Sequence, residues 1–231
     1  LTRTLAFLFV CVSTGLAASP LRYSTGEVLQ ALLDAQDNRA WTRAEVIKTE
    51  QSINAKGKPT ASQGRLTASG GQARLDLETP SKGLVVADGK FLWVELPQVE
   101  QVYRYDQGQL AASGNFFLDL ASSIRHYAKV SLKRRIPVGP GFDDGRVVAL
   151  ELIPARHHAM GFERLQVWVE TRRWEVLRVL MDYGGNRTDI RFKGVQIMSR
   201  RGLKTDPTRA LPKDTFKYKR PKGFEVFKID L

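Results

Sequence analysis

The chain has 231 residues, 42% of them hydrophobic and 26% charged, with no internal repeat and no low-complexity tract. These values suit a globular protein with one sizeable core and exclude a repeat or low-complexity architecture. The net charge of +12 favours polyanionic surfaces as partners.

Residues 1–20, LTRTLAFLFVCVSTGLAASP, carry one charge, at Arg3. An apolar run from Leu5 to Val12 follows, then small residues to Ala18. This is the layout of a secretory signal peptide. Gly15 and Ala17 suit the −3 and −1 positions, so cleavage is expected after Ala17, leaving 18–231 as a single domain. The apolar run is shorter than the roughly 20 residues of a spanning helix. Cys11 follows Phe9 and Val10, residues too large for a lipoprotein cleavage site. Loss of residues 1–17 removes the only cysteine, and with it any disulfide or thiol nucleophile. Export without disulfides fits a bacterial periplasm. There, an anionic membrane surface in transient contact, or an acidic protein, is the expected partner of the basic surface, not nucleic acid.

Ser24 and Glu27 form a capping box ahead of Val28, Leu29, Leu32 and Leu33, which predicts an amphipathic helix over 24–38. WTRAEVIKTEQ (41–51) reads as a strand, and KGKPTASQG (56–64) as a loop. A hairpin around Gly70-Gly71 follows, in which Leu75 and Leu77 face one way and Arg74, Asp76 and Glu78 the other. Asp88-Gly89 is a two-residue turn signal. It would set Val86 opposite Phe91 and Val85 opposite Leu92. Leu84, Val86, Phe91 and Trp93 then share one face, and Val85, Leu92 and Val94 the other. Both faces are apolar, unlike a sheet with one wet side. Glu95 lies on the Phe91/Trp93 side, which favours Leu92 and Val94 as the inner set.

Phe116, Phe117, Leu120, Ile124 and Tyr127 recur at helical spacing and predict a second amphipathic helix over 114–128. Strands resume at RVVALELIP, FERLQVWVE, WEVLRVLMDY, TDIRFKGVQI and DTFKYKRP. Val167 and Val169 alternate with polar neighbours, as do Ile190 and Phe192. The sum is one antiparallel sheet of about ten strands, large enough to curl, with two helices available to plug its hollow.

Chemistry is sparse. His126, His157 and His158 have no partners at metal-ligand spacing, and no nucleophile elbow or phosphate-binding loop occurs. No catalytic residue, metal or cofactor is expected. An apolar hollow without catalytic groups points to a carrier, in which each buried CH₂ of an acyl chain gains about 0.8 kcal/mol.

VVADGKFLWVELPQVEQV, the run FERLQVWVETRRWEVLRVLMDYGGNRTDIRFKGVQI and the ending LPKDTFKYKRPKGFEVFKID together resemble the LolA-type periplasmic lipoprotein carriers. The resemblance implies a mainly β fold with two or three helices. More closely, it implies an incomplete (open) antiparallel β-barrel of about ten or eleven strands with an α-helical lid. It implies a monomer that takes lipoproteins from an inner-membrane ABC lipoprotein-release transporter and passes them to an outer-membrane receptor. The cavity for the lipoprotein acyl chains would be lined by Leu75, Leu77, Val85, Leu92, Trp93, Val94, Val167, Val169, Ile190 and Phe192. Phe116, Phe117, Leu120 and Ile124 would form the lid. Where the family pattern has an Arg-Pro pair, whose arginine helps hold the lid shut, this chain has Gly70-Gly71. A sensor or scaffold on the same fold, or a carrier of another lipid, is the alternative.

Overall fold

The computed structural model describes residues 23–53, 58–80, 82–107, 129–133, 146–153 and 163–229. The signal-peptide segment, all three histidines and the predicted helix 114–128, with Phe116, Phe117, Leu120 and Ile124, lie outside the described residues.

Among the described residues twelve strands form one sheet. They are β1 (Arg39–Ser52), β2 (Thr60–Ser69), β3 (Gln72–Thr79), β4 (Gly83–Ala87), β5 (Phe91–Leu96), β6 (Gln101–Asp106), β7 (Lys129–Lys133), β8 (Val147–Ile153), β9 (Arg164–Glu170), β10 (Glu175–Tyr183), β11 (Asn186–Ser199) and β12 (Glu225–Ile229). Their order is β12-β6-β5-β4-β3-β2-β1-β11-β10-β9-β8-β7, so the sheet is open, with β12 and β7 at its edges. Neighbours in space are neighbours in sequence except at β1–β11 and β6–β12. Every pairing is antiparallel but one: β12 runs parallel to β6. The all-antiparallel expectation is corrected there.

Helix α1 (Thr25–Asp37) starts as the sequence predicts. The Ser24 N–H donates to Glu27 Oε2 at 2.6 Å, and the Glu27 N–H donates to Ser24 Oγ at 3.3 Å. Its apolar stripe buries Val28 completely and leaves Leu32 only 6% exposed. Both pack in one cluster with Val46, Leu150, Leu165, Val167, Val169, Val179 and Ile190, which alternation places on a single face of the sheet. We call this the inner face.

The outer face behaves differently on its two halves. Over β9–β11 it is laced with ion pairs. Asp182 takes Arg164 and Arg187 at 2.6 and 2.7 Å, and Asp189 takes Arg178 and Arg191 at 2.8 and 3.0 Å. Trp168, buried on this face, carries the Arg178 guanidinium 4.6 Å above its ring. Over β4–β6 the outer face carries Leu84, Val86, Phe91, Trp93 and Val102 beside Glu95, Arg104 and Asp106, and is partly covered by the chain itself.

That cover corrects a predicted strand. DTFKYKRP, residues 214–221, alternates like a strand but is turns and irregular backbone. Beginning at the short helix α2 (Arg200–Thr205), the chain crosses the outer face as a strap before turning into β12. The Trp41 indole N–H donates to the Arg209 carbonyl at 3.0 Å. Tyr218 stacks on Trp93 with ring centroids 4.9 Å apart, and its hydroxyl donates to Glu95 Oε2 at 3.0 Å. Beneath this strap Val86 and Val102 are fully buried. The second greasy face of the 85–94 hairpin is thus partly covered by the protein's own C-terminal tract.

Two other boundaries differ from expectation. β2 begins at Thr60, inside the stretch read as a loop, and β7 was not anticipated.

Candidate functional site: an apolar inner face beside a small cavity

The site rests on the register of β1–β6 and β12. Cross-strand pairing aligns Ala44, Leu66, Leu75, Val85, Val94, Tyr103 and Phe227 in one continuous row. The next row toward the 69–72 turn runs Ala68, Ala73, Ala87, Leu92, Tyr105 and Ile229. Leu77 lies on the same face, between Gly64 and Gly83. Tyr103 and Phe227 stack at 5.5 Å. Leu75, Leu77, Val85, Leu92 and Val94 are each half-buried. They form an apolar floor continuous with the core under α1.

The 88–91 connection fixes this register. Instead of a two-residue turn, Ala87 pairs with Leu92 and Val86 with Trp93, two places from the expected partners. The cause is the Asp88 carboxylate. It accepts the N–H groups of Lys90 and Phe91 at 2.8 and 2.7 Å and the Trp93 indole N–H at 2.9 Å. Burial opposes its charge, but the hydrogen bonds from Phe91, Trp93 and Lys90 outweigh that and hold its pKa below the ordinary value. Because the slip is two residues, every side chain keeps its expected face.

Leu92 and Val94 accordingly lie on the inner face, and Glu95 on the outer one. Trp93 does not line the inner face: it stands on the outer face between Phe91 and Tyr218. Its place among the cavity residues is corrected, because neighbours on a strand point to opposite sides. Val167, Val169 and Ile190 are on the inner face but sealed, at 0–1% exposure, in the core that α1 covers. Phe192 is the predicted residue that lines an open space on the inner face.

That space is a cavity of about 200 Å³ between the second half of α1 and β1–β3, with β10 and β11 closing its far side. Leu32, Ala44, Leu66, Val176 and Phe192 make its wall apolar, and Gly70, Gly71 and Gln72 border it at the β2–β3 turn. Both glycines have positive φ, +52° and +82°, which side chains with a Cβ rarely adopt.

Arg39 and Glu175 supply the polar part of the wall. The Arg39 guanidinium donates to the carbonyls of Arg173 and Trp174 at 3.2 and 2.7 Å. It thereby ties the end of α1 to the β9–β10 turn, where Trp174 takes a φ of +54°. Tyr23, ahead of α1, meets the Trp174 ring edge-on at 5.3 Å. Burial pushes the Glu175 carboxyl up, opposed by Arg173, which pairs with it at 2.5 Å, and by Arg39. Nothing in the sequence singled out this cluster, since an arginine after a helix and a glutamate at a strand start are ordinary surface residues.

Stitching at the same rim is made by two glutamines. Gln72 Nε2 donates to the Asp88 carbonyl at 2.7 Å. Gln107 donates to the Gly71 carbonyl at 2.8 Å and accepts the Gly89 N–H at 3.0 Å. Among the described residues no group of three or more His, Cys, Asp or Glu side chains could hold a metal ion.

Comparison with known proteins places this architecture. Residues 50–201 match the family model for the outer membrane lipoprotein carrier protein LolA. The outer-membrane lipoprotein carrier protein of Dechloromonas aromatica (strain RCB) is 29% identical over 217 residues, 93% of each chain. The crystal structure of an uncharacterized conserved protein from Thermus thermophilus superposes with a TM-score of 0.52 at 15% identity, covering 87% of this chain and 98% of the other. That match is one of fold. A LolA superfamily protein from Nitrosomonas europaea gives a TM-score of 0.44 at 14% identity, over 82% of this chain and 97% of its own.

Proposed function

Because the chain belongs to the LolA family of outer membrane lipoprotein carriers, we propose that it is a non-enzymatic periplasmic carrier that shields lipoprotein acyl chains between inner and outer membrane. The observation that carries this reading is the half-buried apolar floor of Leu75, Leu77, Val85, Leu92 and Val94 running out from under α1. In this reading residues 1–17 direct export, and residues 18–231 act as one carrier unit. The cargo arrives from an inner-membrane ABC transporter and leaves to an outer-membrane receptor, with the carrier monomeric throughout.

The cavity of about 200 Å³ is below the roughly 300–1,000 Å³ of ordinary ligand pockets. Loading therefore requires α1 to lift from the sheet. Each methylene taken up gains about 0.8 kcal/mol, which offsets the exposure of Val28 and Leu32. Gly70-Gly71 at the cavity border provides no side chain to latch a lid. Arg39, at the end of α1, supplies a tether from the other side.

Binding of a fluorescent fatty-acid probe tests the proposal. Saturable binding is expected, with loss of at least tenfold in affinity for Leu92→Glu and for Val94→Glu, whose charges would stand on the apolar floor. Undiminished binding by both variants would sink the reading. The latch-free border also supports a second reading, a carrier of a different lipid or a sensor on this fold. Mass spectrometry of material co-purifying with the protein separates them: lipoproteins, free lipid, or a protein partner without lipid.

A further inference from the structure

We propose that the strap over the outer face, residues 200–222, is a docking surface for an anionic phospholipid membrane, with a lipid headgroup seated in the cleft beside Trp93. Nine of these 23 residues are Lys or Arg and two are Asp, so the strap carries seven of the chain's twelve net positive charges. All nine cations are exposed. Among the described residues only Lys217 has a carboxylate in ion-pair range, Asp214 at 3.9 Å. Asp206 is turned inward onto Thr208. The contrast is with β9–β11, where Asp182 and Asp189 each pair with two arginines. Among the described residues the strap's charge is otherwise unbalanced and open to an anionic partner.

The cleft gives that charge a focus. It is about 540 Å³, floored by Trp93 and Tyr218 and ringed by Lys90, Lys213 and Lys217. Asp88 also borders it, but its oxygens are engaged by three N–H donors. An aromatic floor under three ammonium groups matches a phosphate on a glycerol stem, and its size is that of a small-molecule site. A lipid surface fits better than an acidic protein because the cations are spread along an irregular tract and are not lined up along a sheet edge. Position adds a reason. Gln72 borders both this cleft and the inner cavity, so a membrane held at the cleft lies against the cavity's rim.

The proposal stands apart from the carrier reading, since headgroup docking and acyl-probe binding are measured separately. The experiment is co-sedimentation of the purified protein with phosphatidylcholine vesicles, with and without phosphatidylglycerol, over a salt series. Binding is expected to phosphatidylglycerol vesicles, at least tenfold tighter than to neutral ones and weakening with salt. The triple variant K90Q/K213Q/K217Q should bind about a hundredfold more weakly, given roughly 1 kcal/mol per basic residue near the surface, with an unchanged melting temperature. The control K58Q/K82Q removes exposed lysines at the opposite end of the sheet and should stay within threefold of the parent. Equal binding to both vesicle types, a triple variant that binds like the parent, or a control that loses as much as the triple variant overturns the proposal. Retention on immobilised polyglutamate that phosphatidylglycerol vesicles fail to displace also overturns it and assigns the strap to an acidic protein.

Discussion

Gly64 and Tyr218 are where single atoms decide the structure. A Cβ on Gly64 would stand 2.3 Å from the Asp76 carbonyl oxygen and 3.1 Å from the Leu77 Cα, both backbone atoms. Neither can rotate away, so Gly64→Ala should cost about 1–3 kcal/mol, as overpacking does, and lower the Tm by several degrees in a thermal melt. Tyr218 offers a graded test. Tyr218→Phe removes the bond to Glu95 at a cost of about 1 kcal/mol. Tyr218→Ala also removes the ring stacked on Trp93, and should shift tryptophan emission to the red as water reaches the indole. Equal stability of the two variants would mean that the stacked ring contributes nothing. Residue-level reading of the sequence succeeded where one side chain marks a face: Glu95 identified Leu92 and Val94 as inner. The family resemblance misplaced Trp93 among the lining residues, although alternation along the strand already assigned it to the other side.

Elements were legible in proportion to how local their signals are. The capping box and the stripe of Val28, Leu29, Leu32 and Leu33 defined α1 to within a residue at each end. The 214–221 tract was misread because FKYK alternates like a strand. Pro212 and Pro221 at its flanks, which cannot donate to a ladder, were the warning. The parallel pairing of β12 with β6 has no local signature at all, since alternation is the same in either direction. In the proposed carrier reading, α1 is the element on which loading depends. Leu32→Ala should destabilise the protein by about 2–5 kcal/mol in denaturant unfolding. If α1 must rise for loading, the same variant should bind the acyl probe more tightly than the parent. Weaker or unchanged binding would show that the helix does not compete with cargo.

For the molecule as a whole, alternation and length sufficed for a single large sheet with a helix on one face, because burying one side of each strand leaves few other arrangements; that the sheet stays open was implied by the family resemblance. The twelve strands among the described residues agree with the expectation of about ten or eleven: β7 is the addition, and β12 takes the place of the misread tract. Charge distribution gives the molecule a predictable acid limit. Arg187 and Arg164 hold Asp182 below the ordinary carboxylate pKa, and hydrogen bonds from Arg178 and Arg191 do the same for Asp189 against the opposing effect of burial. Carboxylates with lowered folded values stabilise fully above their unfolded pKa of about 3.9. They lose that contribution as pH falls through the folded values. The Tm should therefore hold from neutral pH down to about pH 5 and drop below about pH 4. Asp182→Asn should start lower at neutral pH and fall less steeply in acid.

The return of the C-terminal strand to β6 makes the tract after Ser199 a guardian against self-association. A chain cut there would bare Val86 and Val102 and leave β6 with a row of unclaimed amides and carbonyls, the kind of margin on which a second molecule adds its own strand. Proteolysis at that point should raise the tendency of the protein to self-associate, as Val86 and Val102 meet water.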